Sequence, residues 1–195
     1  MWALDQAETE LAGSAAALER QRQVRFLLHF AGDVHQPLHA ATYFSAQFPS
    51  GDRGGNSWPV AGAPPAPYPI TELHALWDEG AGQWTANLYR PLNASGRAWL
   101  RALGDRVRAL HPPASLAPQI ALREPMAWAN ESYTIADEFV YTAPQAPTRL
   151  PAAYLSKAAD ICLERLAIAG YRLATALEAL FGSNKTAGFA RVRLA

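Results

Sequence analysis

Apolar residues recur at helical spacing along most of the chain. Between Ala7 and about Gln36, Leu11, Ala15 and Leu18, then Val24, Leu27, Leu28, Ala31 and Val34, approximate a 3.6-residue period and predict a mostly helical segment. Residues 43–69 lose the pattern. Pro49, Gly51, Gly54, Gly55 and five prolines between Pro59 and Pro69 predict a long loop there, a feature that in compact domains is often functional. Thr71 stands where it can cap a following helix that carries His74 and Asp78. Trp99, Leu103, Val107 and Leu110 predict a further helix, stopped by Pro112-Pro113. Pro125 suits a first helical turn and opens a predicted helix over 125–142. The clearest periodicity comes last. Leu155, Cys162, Leu166, Ala169, Leu173, Leu177 and Leu180 keep spacings of three or four, with Ala158 or Ala159 filling the one gap and Gly182 as the stop. No internal repeat is present. The expectation is an all-α fold, a compact multi-helix single domain over residues 1–195.

Composition narrows the class without naming a chemistry. Half of the 195 residues are apolar and 17% are charged, which is globular rather than disordered usage. The 17 basic residues balance the 17 acidic ones, so no global basic field attracts nucleic acid. Any such binding has to come from metals and a local pocket. No apolar run approaches a membrane span in length. Cys162 is the sole cysteine, so a disulfide within the chain is excluded and cysteine usage gives no sign of an oxidising compartment. The start Met-Trp-Ala-Leu-Asp-Gln-Ala-Glu is acidic and does not read as a signal peptide.

The candidate chemistry is concentrated in two short runs, His29-Phe-Ala-Gly-Asp33-Val-His35-Gln-Pro37-Leu-His39 and Leu-His74-Ala-Leu-Trp-Asp78. Imidazole nitrogen with carboxylate oxygen is the ligand set of hydrolytic zinc. His29 and Asp33 are four residues apart and share a helical face, and His74 and Asp78 repeat that spacing. His39 lies about 280° round an ideal helix from His29 at roughly 100° per residue, and Pro37 disturbs the helix just before it. The spacing suggests two metal positions, one using His29 and Asp33, the other His39, His74 and Asp78.

HFAGDVHQPLH, GDRGGN at 51–56 and ELHALWDEGA at 72–81 resemble the zinc-dependent single-strand nuclease and 3′-nucleotidase family, the S1/P1 nucleases. Two weaker signatures follow in the same order, Trp128-Ala-Asn-Glu131-Ser132 and Ala169-Gly170-Tyr-Arg172-Leu173-Ala174, so that the resemblance runs from about Leu18 to Phe181. It implies the all-α fold shared with bacterial zinc phospholipase C. It implies hydrolysis of single-stranded DNA or RNA and of 3′-nucleotides by metal-activated water, and a monomer. It assigns His39, His74 and Asp78 to one of up to three zinc ions, and His29 and Asp33 to a paired site in which Asp33 bridges two metals. Gly55 and Asn56 are implied to contact substrate. Family members are usually extracellular or in the secretory pathway. Asn93-Ala-Ser95, Asn130-Glu-Ser132 and Asn184-Lys-Thr186 are candidate glycan acceptors in that setting.

The matching region corresponds to the C-terminal two thirds of the family's domain. Its remaining paired-site ligands, a terminal tryptophan, two histidines and an aspartate, have no counterpart among residues 1–28, so one complete zinc site is expected. Two other readings therefore stay open: a truncated or inactive zinc-binding helical domain derived from this family, and a phospholipase-like enzyme on the same fold. The sequence shows no membrane-binding patch for the latter. His35, 240° from His29 on an ideal helix, is expected to support ligands or lie at the surface, and His111 to end a helix. Trp77 is expected in the core, and Trp128, Glu131 and Arg172 are expected to hold helices together, through a buried charge pair or satisfied hydrogen bonds. Arg20, Arg22 and Arg25 read as a solvated helix face.

Overall fold

In a computed structural model that describes residues 2–13, 16–84 and 86–182, the amino-terminal helical segment is two helices, α1 (Trp2–Ala12) and α2 (Ala17–Asp33). The predicted helix over 7–36 is thus broken near Gly13, and Ala16 enters α2 in an extended conformation. The break lets α2 pack against α1. Leu4, Ala7 and Leu11 then share a buried cluster with Leu27, Ala31 and Trp128, which one straight helix could not form. Arg20 reaches back and donates to the carbonyls of Leu11 and Gly13, satisfying acceptors left open at the end of α1. Ala15, assigned to the apolar stripe, lies outside the described residues.

The segment 43–69 is irregular, as expected, but well tied down. Asp52 is fully buried, and its carboxylate accepts from Gly55 N at 2.8 Å, Tyr43 N at 2.9 Å and the Tyr141 hydroxyl at 3.1 Å. Helix α3 (Leu73–Asp78) follows. Thr71 does not cap it: Glu72 holds the cap position, and the Thr71 hydroxyl donates to the Glu72 carboxylate. Main-chain carbonyls of the loop do the capping. Leu73 N donates to Trp58 O and His74 N to Gly55 O, filling acceptor needs that a side chain usually meets.

Helix α4 (Ala94–Leu110) starts on the Asn93 side chain and ends at His111, and α5 (Ala117–Ala121) is a short helix that periodicity did not indicate. Helix α6 (Pro125–Glu138) begins at Pro125 as expected; a bend at Phe139 makes Val140–Thr142 a separate 3-10 turn. Helix α7 (Ala152–Phe181) is the spine. Tyr154, Ala158 and Cys162 pack on Leu73, Leu76 and Trp77 of α3. Leu163, Ala167 and Ile168 meet Val107 and Leu116, and Leu173, Leu177 and Leu180 close the α1–α2 cluster. Among the described residues there are no strands, only isolated bridges, and no helix is long and apolar enough to cross a membrane.

One position of the α7 stripe departs from expectation. Leu166 is 42% exposed, whereas Arg165 and Arg172 are buried. The Glu131 carboxylate lies between them, 2.8 Å from Arg165 Nη1 and 2.7 Å from both Arg172 Nη1 and Nη2. Arg172 also donates to Gln119 O and lies 5.3 Å from the Trp128 ring centroid. The expected buried charge pair is therefore a triad.

His35 belongs to this triad and is not at the surface. Arg172 Nη1 lies 2.9 Å from His35 Nε2, and Ala31 O lies 2.7 Å from Nδ1. A guanidinium only donates, so Nε2 accepts and Nδ1 carries the proton. Burial, together with the nearby Arg165 charge, pushes the His35 pKa down to about 3. The unfolded chain protonates this histidine near pH 6.5 while the folded chain does not, so stability falls as pH drops below that value. The expected slope is about 1.4 kcal/mol per pH unit from this group. His74, described below, has the opposite shift, but its contribution is already complete below pH 6.5 and adds no slope there. Urea unfolding at pH 6.5, 5.75 and 5 measures this directly; a flat stability across that range would refute a neutral buried His35.

Candidate metal centre

Three elements bring His29, Asp33, His39, His74 and Asp78 to one wall. α2 ends with His29 and Asp33 on a common face, His29 Nε2 lying 3.0 Å from Asp33 Oδ2. The chain then turns at Gln36, whose side chain accepts from Leu38 N and starts the 3-10 turn Pro37–His39. That turn swings His39 off the α2 stripe and toward α3. His39 Nε2 lies 3.5 Å from Asp78 Oδ1, and His74 Nε2 lies 3.4 Å from Asp78 Oδ2. The His39 and His74 rings stack with centroids 5.1 Å apart. One ligand atom from each of His39, His74 and Asp78 falls within 4.8 Å of the other two.

This donor set has the chemistry of a hydrolytic metal site. Tetrahedral bonds of about 2.0–2.1 Å would put neighbouring donors roughly 3.3–3.4 Å apart; the two imidazoles approach different oxygens of Asp78, at 3.5 and 3.4 Å, and one donor atom from each of the three residues lies within 4.8 Å of the others. The His74 ring is also held in place. His74 Nδ1 is 2.6 Å from Gly54 O, and a carbonyl can only accept, so the Nδ1 proton points at the loop. Nε2 is then the ring nitrogen turned to Asp78, and its proton is the one a bound metal would displace, with the Nδ1 bond to Gly54 O as the outer-shell arrangement usual for ligating histidines. Hydrogen bonding to Asp78 raises the His74 pKa, opposed by burial and aided by Gly54 O. Burial pushes the Asp78 carboxyl up, but hydrogen bonds from His39, His74 and Gln36 outweigh it and hold the group well below the usual carboxylate range.

Asp33 lies beside this trio: its Oδ1 is 3.9 Å from His39 Nδ1. His29 and Asp33 thus form an adjoining two-residue half-site, with the His29 side chain 69% exposed. A cavity of about 540 Å³ is lined by His29, Asp33, His39 and Asp78 and also by Trp84, Cys162, Arg165 and Leu166. Cys162 is not a candidate nucleophile, because burial raises its thiol to about 12. Trp77 packs in the core as expected, its Nε1 donating to the Tyr154 hydroxyl.

The glycine-rich turn reaches the centre through its main chain. Asn56 is exposed, and its Nδ2 donates to Arg53 O within its own turn, while Gly55 N is held by Asp52. Gly54 is the member that touches the centre, through His74. Sequence reasoning also missed Gln36, whose Nε2 donates to Asp78 Oδ1 at 2.8 Å, and Asp52, which anchors the turn. The available signal was Gln36 before Pro37 and Asp52 two residues before Gly54, but neither position has an interpretable spacing to the ligands.

Gly54 adopts φ +62°, and a Cβ there would sit 2.6 Å from Leu38 O. Both the left-handed backbone and the clash with main chain oppose a side chain. Gly54→Ala is therefore expected to cost about 1–3 kcal/mol of stability and to weaken metal binding about 10–100-fold by displacing the acceptor of His74 Nδ1. Urea unfolding and a metal titration of the same variant read the two effects; unchanged metal affinity would show that Gly54 O does not orient His74.

A family model described as S1/P1 Nuclease matches residues 1–182. Endonuclease 4 of Arabidopsis thaliana is 31% identical over 162 residues, covering 81% of this chain and 50% of that protein. Endonuclease 3 of the same organism is 28% identical over 164 residues, covering 82% and 51%, and Endonuclease 2 is 28% identical over 184 residues, covering 88% and 56%. The chain spans about half the length of the curated relatives it matches.

Proposed function

The chain belongs to the S1/P1 nuclease family, and on that premise we propose that it is the metal-binding part of a zinc-dependent phosphoesterase. The substrate class is single-stranded DNA or RNA and 3′-nucleotides. The observation that carries the reading is the convergence of one donor atom each from His39, His74 and Asp78, with His74 Nδ1 held by Gly54 O. His39, His74 and Asp78 are proposed to hold one zinc ion. His29 and Asp33 are proposed to supply part of a neighbouring pair, with Asp33 bridging, since it lies between His29 and His39. Zinc bound there would supply positive charge for the phosphate oxygens and an acidified water as nucleophile. The protein's part is to keep Asp78 ionised, turn His39 Nε2 and His74 Nε2 toward it and leave an open side for the phosphate. With no net charge on the chain, attraction of a polyanion has to be local to this wall. Gly55 and Asn56, on the turn that carries Gly54, are proposed to contact the nucleobase. A secretory location and glycans on the exposed Asn93 or Asn130 belong to the same proposal; Asn184 lies outside the described residues.

A second reading has its own observation. Among the described residues, the His29–Asp33 pair gains no third His, Cys, Asp or Glu donor of its own. A chain with one full site and one half-site would bind zinc and turn over poorly. Purified protein assayed with zinc on single-stranded DNA and on 3′-AMP separates the readings. Chelator-sensitive release of phosphate or nucleotides supports the enzyme. Tight zinc retention with no release supports the binding domain, and no zinc retention removes both.

A further inference from the structure

We propose that Ser132 and Arg165 are positioning residues of the metal centre, setting Asp33 against His39 through the main-chain carbonyls of Val34 and His35. The proposal rests on the metal-centre reading above. Past Asp33 the helix stops, and the next amides bond backward within the turn: Val34 N to Phe30 O, His35 N to Gly32 O and Gln36 N to Asp33 O. In a continuing helix Leu38 N would donate to Val34 O; the Gln36 side chain takes that donor instead. Among the described residues no main-chain donor reaches the carbonyls of Val34 and His35 at this helix end.

Two side chains from other helices fill those positions. Ser132 Oγ, on α6, lies 2.6 Å from Val34 O, and Arg165 Nε, on α7, donates to His35 O at 3.2 Å. Arg165 Nη2 also donates to Ser132 Oγ at 3.0 Å. A serine hydroxyl has one proton, so with its lone pair engaged by Arg165 that proton is directed at Val34 O. Glu131 holds the guanidinium from the other side. Ser132 is fully buried, so no water cheaply replaces the donor it gives to Val34 O. An orphaned carbonyl would turn toward another donor, and the turn connecting Asp33 to His39 would turn with it. The 3.9 Å approach of Asp33 Oδ1 to His39 Nδ1 depends on that turn. Neither residue touches the ligand atoms, so the role is positioning.

The test measures zinc affinity by competition with a chromophoric chelator, the visible spectrum of the cobalt-substituted protein, and thermal unfolding. The full chain is compared with Ser132→Ala, Arg165→Lys and Val107→Ala, the last weakening a buried cluster between α4 and α7 that does not touch the turn. Zinc binding is expected to weaken about 10–100-fold in Ser132→Ala and Arg165→Lys, with an altered cobalt spectrum. Val107→Ala should lower the melting temperature with zinc affinity and spectrum unchanged. Wild-type zinc affinity in Ser132→Ala would overturn the proposal, as would an equal loss in Val107→Ala at equal loss of melting temperature. If Arg165→Lys fails to fold, Ser132→Ala decides alone. Failure of the wild-type chain to hold zinc would instead bring down the metal-centre reading and the positioning role with it.

Discussion

Replacing His74 by alanine should lower zinc affinity by more than the roughly 10–100-fold typical of outer-shell changes and take any hydrolysis of single-stranded DNA or 3′-AMP below detection. Three donors is the minimum that holds a hydrolytic zinc with a position left open, and His74 is one of three. Its loss also leaves Gly54 O without the imidazole proton it accepts. The variant should still fold. His74 sits on α3, but the buried contacts of that helix come from Leu73, Leu76 and Trp77. Circular dichroism should therefore be close to wild type while zinc per chain, measured by atomic absorption after gel filtration, falls. His35→Gln is the informative contrast, because His35 faces Arg172 and Ala31 rather than the trio. It should retain zinc better than His74→Ala. Zinc content unchanged in His74→Ala would remove His74 from the ligand set and break the proposed mechanism.

Removing Glu131 should have the largest effect on folding. Among the described residues its carboxylate is the only one in a salt bridge with Arg165 or Arg172, and both arginines are buried. Burial alone would disfavour an ionised carboxylate here; the hydrogen bonds from Arg172 and Arg165 outweigh that and lower the Glu131 pKa. Glu131→Ala leaves two guanidiniums in a low-dielectric interior without the carboxylate that both of them bond. Breaking a buried pair in this way costs about 3–5 kcal/mol, a large share of the roughly 5–15 kcal/mol that stabilises an ordinary domain. Chemical denaturation should show a midpoint far below wild type, or no cooperative transition. A loss under about 1 kcal/mol would mean that water reaches the arginines and that the triad is a surface feature. The pH dependence has a definite sign. A depressed carboxylate contributes stability above its unfolded pKa and loses it as pH falls through the folded value, so stability should start to fall as pH drops below the ordinary carboxylate range and match the substitution only once Glu131 itself is protonated.

Much of the site was legible because its chemistry is local. His29 and Asp33, and His74 and Asp78, are i,i+4 pairs, and helical geometry alone puts each pair on one face. Pro37 signalled that His39 leaves the stripe. The residues that orient these ligands were not legible. Gly54 O, Gln36 and Asp52 act through a loop whose path no periodicity describes. Arg165 was hidden for a related reason. Between the apolar positions of α7 a charged residue reads as solvent-facing, and its burial depends on Glu131 and Ser132 arriving from α6. The split of the first helix was also missed, because both halves keep the 3.6-residue period and only Gly13 marks the break.

Sequence alone determined what each segment has to be: helices where apolar residues keep their period, a loop where proline and glycine crowd, and a metal-type ligand set in two short runs. These follow from forces acting within a few residues, namely backbone sterics, proline's missing N–H and the phase of side chains round a helix. Only the tertiary structure decided which runs meet. It fixed the 3.4 and 3.5 Å approaches to Asp78, the bond from His74 Nδ1 to Gly54 O and the capping of the Asp33–His39 turn from α6 and α7. Those depend on contacts between residues as many as 130 positions apart, where desolvation makes each buried carbonyl, carboxylate and guanidinium find a partner, and a one-dimensional pattern does not say which partner arrives.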